Sequence, residues 1–296
     1  MQTKTTVDLE KFKNVLGFSA SFKRWGNSRR ADIQQVQTDA DKRRLKLSKQ
    51  LIQADELDAI KSYMSDLQQW IYSRTVTGFK KGFQMASKEA YDIIEARMKK
   101  AVAEDLPPLV SALKLVYANK VEEARVALNG QFNPRDYPTE DQLDGLFGID
   151  WLWIDFTPAQ ALTAEQRQAE AEKLQKKMLD AGEEIITALR TAFQELLAHA
   201  LDRMTPGEDG KQKIFRDSML GNIQEFLDTF SSRNLMNDTE LAALVEKAKG
   251  VMLGADPEKI RKYSSVREAT AKTFAEIKSQ VDGMIETRKA RAFDFS

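Results

Sequence analysis

The sequence predicts a mainly α-helical protein, an elongated antiparallel helical bundle with long coiled-coil-like helices and a small β element near one end. Charged residues make up 30% of the chain, which has only 14 Gly and 7 Pro, a profile typical of helix-rich proteins. One stretch, from Thr163 to Met204, keeps a continuous apolar stripe at helical spacing. Three short segments rich in aromatic or β-branched residues interrupt the helical pattern and predict strands.

The predicted organisation has two regions in one continuous structural unit. Residues 1–157 form a helical region with short strands at about 16–22, 79–85 and 149–156. Residues 158–296 form a bundle of long helices.

The N-terminal half begins with a predicted strand, because apolar residues alternate with small or polar ones from Leu16 to Phe22. After a turn at Trp25-Gly26, residues 29–50 are predicted to be helical. From Asp55, steps of three and four residues indicate a coiled-coil-like seam formed by Leu57, Ile60, Met64, Leu67 and Ile71.

The second half of this region should hold two more helices and the strongest strand. A helix that starts near Ser87 should break or bend sharply at Pro107-Pro108. Residues 149–156 carry apolar side chains at both alternations, which predicts a strand covered on both faces.

The long helix has a defined start, since Thr163 and Gln166 have the spacing of a capping box. It should end at Thr205-Pro206-Gly207. A stripe of this length must be buried against other helices, and three further apolar stripes follow it in the sequence.

Charge is unevenly distributed, although Lys plus Arg and Asp plus Glu are equal at 45 each. Residues 1–50 have a net charge of +7, and residues 136–172 have a net charge of −8. The basic segment is a candidate surface for nucleic acid or an acidic partner, with Trp25 available to stack on a base. The candidate binding residues are Lys23, Arg24, Trp25, Arg29, Arg30, Lys42, Arg43, Arg44 and Lys46.

Two alternatives stand beside nucleic-acid binding. The basic residues could be a solvated helix face without a partner, as basic runs usually are. In the other alternative, the basic segment of one copy docks on the acidic middle of the next in a head-to-tail assembly.

Residue types argue against several kinds of active site. The chain has no Cys, and His199 is its single histidine. We therefore expect no catalytic residues, no metal site and no cofactor, and predict a non-enzyme. The polar start and the lack of a long apolar run predict a cytoplasmic protein with no membrane partner.

The order of several motifs is similar to that in a known family. A strand ends in a Trp-Gly turn at Gly26, Gly78 to Phe83 reads G-F-x-x-G-F, and Tyr137-Pro138 leads to a strand with Trp151. With long helices following, this order resembles a family of uncharacterised proteins of phages and other mobile elements, encoded near MoxR-type AAA+ ATPases. The resemblance implies a phage-encoded accessory or scaffold protein in the bacterial host cytoplasm, with an AAA+ ATPase as partner, and it carries no catalytic residues.

Together, these features predict a non-enzymatic scaffold or interaction protein that self-associates. The alternative is a nucleic-acid-binding protein that uses the basic N-terminal segment.

Overall fold

The computed structural model describes residues 14–78, 82–156, 163–206, 213, 217–254 and 257–293. Within these ranges the chain is mainly helical with a small antiparallel sheet, which confirms the prediction of a mainly α-helical protein with a small β element. The helices are α1 Asp55–Tyr72, α2 Lys88–Lys100, α3 Leu106–Leu128, α4 Ala164–Met204, α5 Asp217–Arg233, α6 Thr239–Gly254, α7 Pro257–Lys262 and α8 Ser264–Phe293. The strands are β1 Val15–Lys23, β2 Ser28–Arg30, β3 Ser48–Gln50, β4 Val76–Thr77, β5 Gln84–Ser87 and β6 Gly148–Ile154.

The chain divides into two compact units made of interleaved segments. The described residues of 1–18, 72–91 and 153–296 form one unit, hereafter the α4 unit. Residues 19–71 and 92–152 form the other, hereafter the α3 unit. The chain passes between the units several times, whereas a single boundary after residue 157 was expected from the sequence.

The long helix α4 is confirmed over 41 residues. The Thr163 hydroxyl accepts from the Gln166 backbone N–H at 3.3 Å, and the Gln166 side chain accepts from the Thr163 N–H at 3.0 Å. This reciprocal pair satisfies backbone donors that the first turn would leave free. The stripe from Met178 to Met204 is buried, and α4 packs against α5 and α8.

Aromatic stacking holds the centre of the α4 unit. The Phe193 and Phe226 rings lie 5.1 Å apart and are within 5° of parallel. Phe193, Phe274 and Ile277 are fully buried in the same core. Such a core accounts for the stability of helices that would be marginal in isolation.

The sheet has the strand order β4-β5-β1-β6. Strand β5 pairs antiparallel with β1, with Val15 opposite Ser87, and with β4, with Val76 opposite Met85. The predicted strand at 79–85 was misplaced, because the described strand β5 begins only at Gln84; residues 79–81 lie outside the described residues. Gly82 adopts φ of +82°, a turn conformation that glycine favours, just before β5.

Strand β6 corrects the prediction of a strand covered on both faces. Ile149 is buried, but the opposite alternation is open, with Leu152 51% and Ile154 38% exposed.

The predicted helix over residues 29–50 is wrong. This segment forms β2, two short 3-10 turns and β3. The carboxylates of Asp32 and Asp41 accept from the backbone N–H groups of Gln34 and Arg43 at 2.9 and 3.0 Å. Such local side-chain bonds close turns in competition with a helix.

The helix before Pro107 does not end there. A π-helical turn, Ala101–Asp105, joins α2 to α3, and both prolines lie in the first turn of α3. The π-helical turn changes the backbone hydrogen-bond pattern directly before the two prolines, neither of which has an N–H to donate.

Candidate functional site

The predicted basic surface is built on a two-stranded ribbon in the α3 unit. Strands β2 and β3 pair antiparallel, with Arg30 opposite Ser48 and Arg29 opposite Lys49. The Ala31 N–H donates to the Leu47 carbonyl at 2.9 Å and continues the pairing by one step. We call residues 28–50, the ribbon with the loop that it closes, the basic lobe.

One lysine anchors the lobe. The Lys49 side chain is only 7% exposed, and its Nζ lies 2.7 Å from an Asp136 carboxylate oxygen. Lys49 also donates to the Gln131 carbonyl at 2.5 Å. The Gln131 side chain in turn accepts from the Asp32 N–H at 2.8 Å and donates to the Asp32 carbonyl at 2.7 Å. One basic and one acidic residue of the two charged segments therefore meet within the same chain, a contact that the charge pattern alone does not predict.

The loop of the lobe presents the most exposed cations. The side chains of Arg43 and Arg44 are 91% and 89% exposed. Arg43 donates to the Asp41 carboxylate, and this side-chain hydrogen bond is the main cause of the lowered pKa of Asp41. Arg30 and Lys46 are also exposed, whereas Lys42 is half-buried and donates to the Gln34 carbonyl at 3.3 Å.

The cations before the loop are engaged locally. Arg24 donates to the Gln68 side chain at 3.4 Å and lies 5.7 Å from the centre of the Phe22 ring. Arg29 donates to the carbonyls of Gly26 and Ser28 at 2.6 and 2.9 Å. Lys23 is exposed. Among the described residues, Lys23, Arg30 and Lys46 make no side-chain hydrogen bond or ion pair, whereas Arg43 and Arg44 both lie within ion-pair distance of Asp41.

Trp25 is not available for stacking on a base. It is only 6% exposed, and its ring meets that of Tyr117 edge-on at 6.1 Å. Asn27 fixes this turn, because its side chain donates to the Ile52 carbonyl at 2.7 Å and accepts from the Ile52 N–H at 3.0 Å. The assignment of Trp25 to a binding surface is therefore wrong, since a large aromatic side chain gains more from burial in the core.

An acidic surface lies on the 3-10 helix Glu140–Leu146 of the same unit. We define it as the exposed residues Glu140, Asp141 and Asp144. Lys114 donates to Asp144 at 2.8 Å. This hydrogen bond is the main cause of the raised pKa of Lys114, and the charges of Glu140 and Asp141 add to it.

Other kinds of site find little support in the part of the chain that the structure describes. In it, no group of three or more acidic or histidine side chains could hold a metal ion. His199 is exposed on α4. None of the described helices is long and apolar enough to cross a membrane.

Comparison with protein-family models, with curated proteins and with solved structures gives no match to this chain.

Proposed function

We propose that this chain is a non-enzymatic interaction protein that self-associates, with the basic lobe of one copy docking on the acidic surface of the next. One observation carries the proposal: exposed arginines in the lobe and exposed carboxylates on the 3-10 helix Glu140–Leu146 belong to two different segments of one unit. Because the two surfaces differ, the contact is head-to-tail.

The expected contact is weak and sensitive to salt. Each exposed ion pair contributes about 0.2–1 kcal/mol, so three pairs contribute at most about 3 kcal/mol. Association itself costs at least about 4 kcal/mol, so apolar contact must add to the charges. Leu45, 37% exposed between Arg44 and Lys46, is a residue of the lobe that can provide it.

A charge-swap experiment tests the proposal. The first variant carries Arg43→Glu and Arg44→Glu, and the second carries Glu140→Lys and Asp141→Lys. Each variant alone should remain a single chain by light scattering, because like charges then meet at the contact. An equimolar mixture should recover assembly, since each altered surface finds its opposite on the other variant. If both variants assemble as the unaltered chain does, the lobe and the acidic surface are not the contact.

The resemblance to the phage and mobile-element family extends this proposal to a scaffold that works beside an AAA+ ATPase. That partner stays a prediction, which co-purification of this chain with an ATPase encoded beside it would test.

The second candidate function is nucleic-acid binding by the basic lobe. The observation that favours it is the ribbon itself, because a two-stranded β-ribbon fits the major groove and Arg30 is exposed on β2. With Trp25 buried, binding would rest on phosphate contacts, and each would steepen the slope of log K against log salt by about 0.9.

Fluorescence anisotropy with a labelled DNA duplex tests this candidate at low salt. Arg43→Gln with Arg44→Gln should weaken binding and flatten the salt slope by roughly two phosphate contacts. Lys259→Gln with Lys272→Gln, two exposed lysines of the α4 unit, gives the matched change in net charge and should have little effect. Equal losses in both pairs would show a response to net charge alone.

A further inference from the structure

A cavity of about 710 Å³ lies within the α4 unit, between the β4–β5 segment and helices α4 and α5. Its volume falls in the range of about 300–1,000 Å³ that is usual for small-molecule sites. Val76, Ile185 and Leu189 give it apolar walls, and Arg233 is the one basic residue among the described residues that line it.

The guanidinium of Arg233 packs against an aromatic ring but has no polar partner among the described residues. Arg233 is the last residue of α5, and its guanidinium carbon lies 5.4 Å from the centre of the Phe226 ring. Its Nε is buried without a hydrogen-bond partner, and no ion pair joins it to a carboxylate in the described parts of the chain. Buried polar atoms in proteins are almost always hydrogen-bonded, so an unpaired Nε on a half-buried guanidinium favours an anion beside it.

The electrostatics of the side chain agree with this geometry. Burial lowers the pKa of Arg233, and the charge of Glu225 only partly offsets the effect. An anion bound at the guanidinium would remove the penalty of leaving the charge unpaired.

The lining defines the class of ligand. We propose that this cavity binds a small organic carboxylate, with its carboxylate on the Arg233 guanidinium and its apolar body against Val76, Ile185 and Leu189. The planar guanidinium matches a carboxylate with two parallel hydrogen bonds. Glu184 also lines the cavity but is exposed, so water screens its charge. One arginine with Glu184 nearby suits a ligand with a single negative charge better than the doubly charged phosphate ion.

Octanoate is a suitable probe. Octan-1-ol has the same apolar chain without the charge, and inorganic phosphate has charge without an apolar chain, so the two serve as controls. Isothermal titration calorimetry on the full chain should detect octanoate binding, with octan-1-ol and phosphate both weaker by roughly tenfold or more. Equal affinity for octan-1-ol would overturn the role of the arginine. Tighter binding of phosphate would overturn the ligand class.

A variant and a matched control test whether octanoate binds at Arg233. Arg233→Met should weaken octanoate binding by roughly tenfold or more, because a hydrogen-bonded ion pair is lost. It should also leave the melting temperature of the free protein equal or higher, since a half-buried charge with an unpaired Nε is removed. Arg203→Met, at an exposed arginine of α4, is the matched control and should bind octanoate normally.

Ala188→Phe gives an independent test that keeps the guanidinium. Ala188 is exposed and lines the cavity, so a larger side chain there should fill the space without disturbing the core, and octanoate binding should fall. No octanoate binding to the unaltered chain, or unchanged binding in both Arg233→Met and Ala188→Phe, would refute the proposal. None of these outcomes depends on whether the chain self-associates through its basic lobe.

Discussion

Removal of the Asp238 carboxylate should destabilise the α4 unit more than any surface substitution. Asp238 is joined to Arg190 of α4 by two hydrogen bonds, Nε to Oδ2 at 2.7 Å and Nη2 to Oδ1 at 3.0 Å. Both side chains are buried, at 11% exposed for Arg190 and 4% for Asp238. The same carboxylate accepts from the Leu241 N–H at 3.1 Å and so caps the start of α6.

The size of the effect follows from these contacts. Breaking a buried ion pair by removing one partner costs about 3–5 kcal/mol, because the other charge stays buried. Loss of a helix N-cap costs about 0.5–2 kcal/mol. Because the two effects share one carboxylate and do not simply add, we expect Asp238→Ala to lower the free energy of unfolding by about 3–5 kcal/mol.

Two further variants separate the causes. Glu240 also contacts Arg190, at 3.2 Å, but its side chain is 70% exposed, so Glu240→Ala should cost less than about 1 kcal/mol. Arg190→Met combined with Asp238→Ala should recover part of the loss, because no charge is then left unpaired. Urea unfolding followed by circular dichroism measures all three. The reasoning fails if Asp238→Ala costs no more than Glu240→Ala.

Two more predictions follow from close packing and from a buried phenol. Gly17→Ala should destabilise the sheet by about 1–3 kcal/mol in a urea titration, because a β-carbon there would overlap the Phe83 ring; an unchanged unfolding midpoint would contradict this. Burial is the main cause that raises the pKa of Tyr117 to about 12, with a smaller effect of Tyr137. Because the pKa of Tyr117 rises on folding, the contribution of the buried neutral phenol to the free energy of unfolding is complete below about pH 10. This contribution is lost as the pH rises from about 10 to 12. Tyr117→Phe should therefore show a smaller fall in unfolding free energy over that range than the unaltered chain, and an equal fall would contradict the assignment.

Much of the helical architecture could be predicted from local sequence signals. The start of α4 follows from Thr163 and Gln166, and all five seam residues of α1 are buried as their spacing predicts. The segment 29–50 does not follow its helical pattern. Two aspartates close local turns there, and Lys49 forms an ion pair with the distant Asp136. The spacing of apolar residues along a segment carries no information about a contact with a residue far away in the sequence.

The candidate sites were predictable only in part. The exposed arginines of the loop follow from composition, but the burial of Trp25 depends on Tyr117, far away in the sequence. Arg233 gives no sequence signal, because a basic residue in the last turn of a helix is ordinary. Its lack of a partner emerges only when α5 is placed beside its neighbours.

The measurement that most directly tests self-association is the mass of the unaltered chain by light scattering at low and high salt, without nucleic acid. We expect a particle of several chains at low salt that falls to the mass of one chain, 33.6 kDa, as salt screens the lobe from the acidic surface. A mass of one chain at low salt and high protein concentration would contradict the proposal.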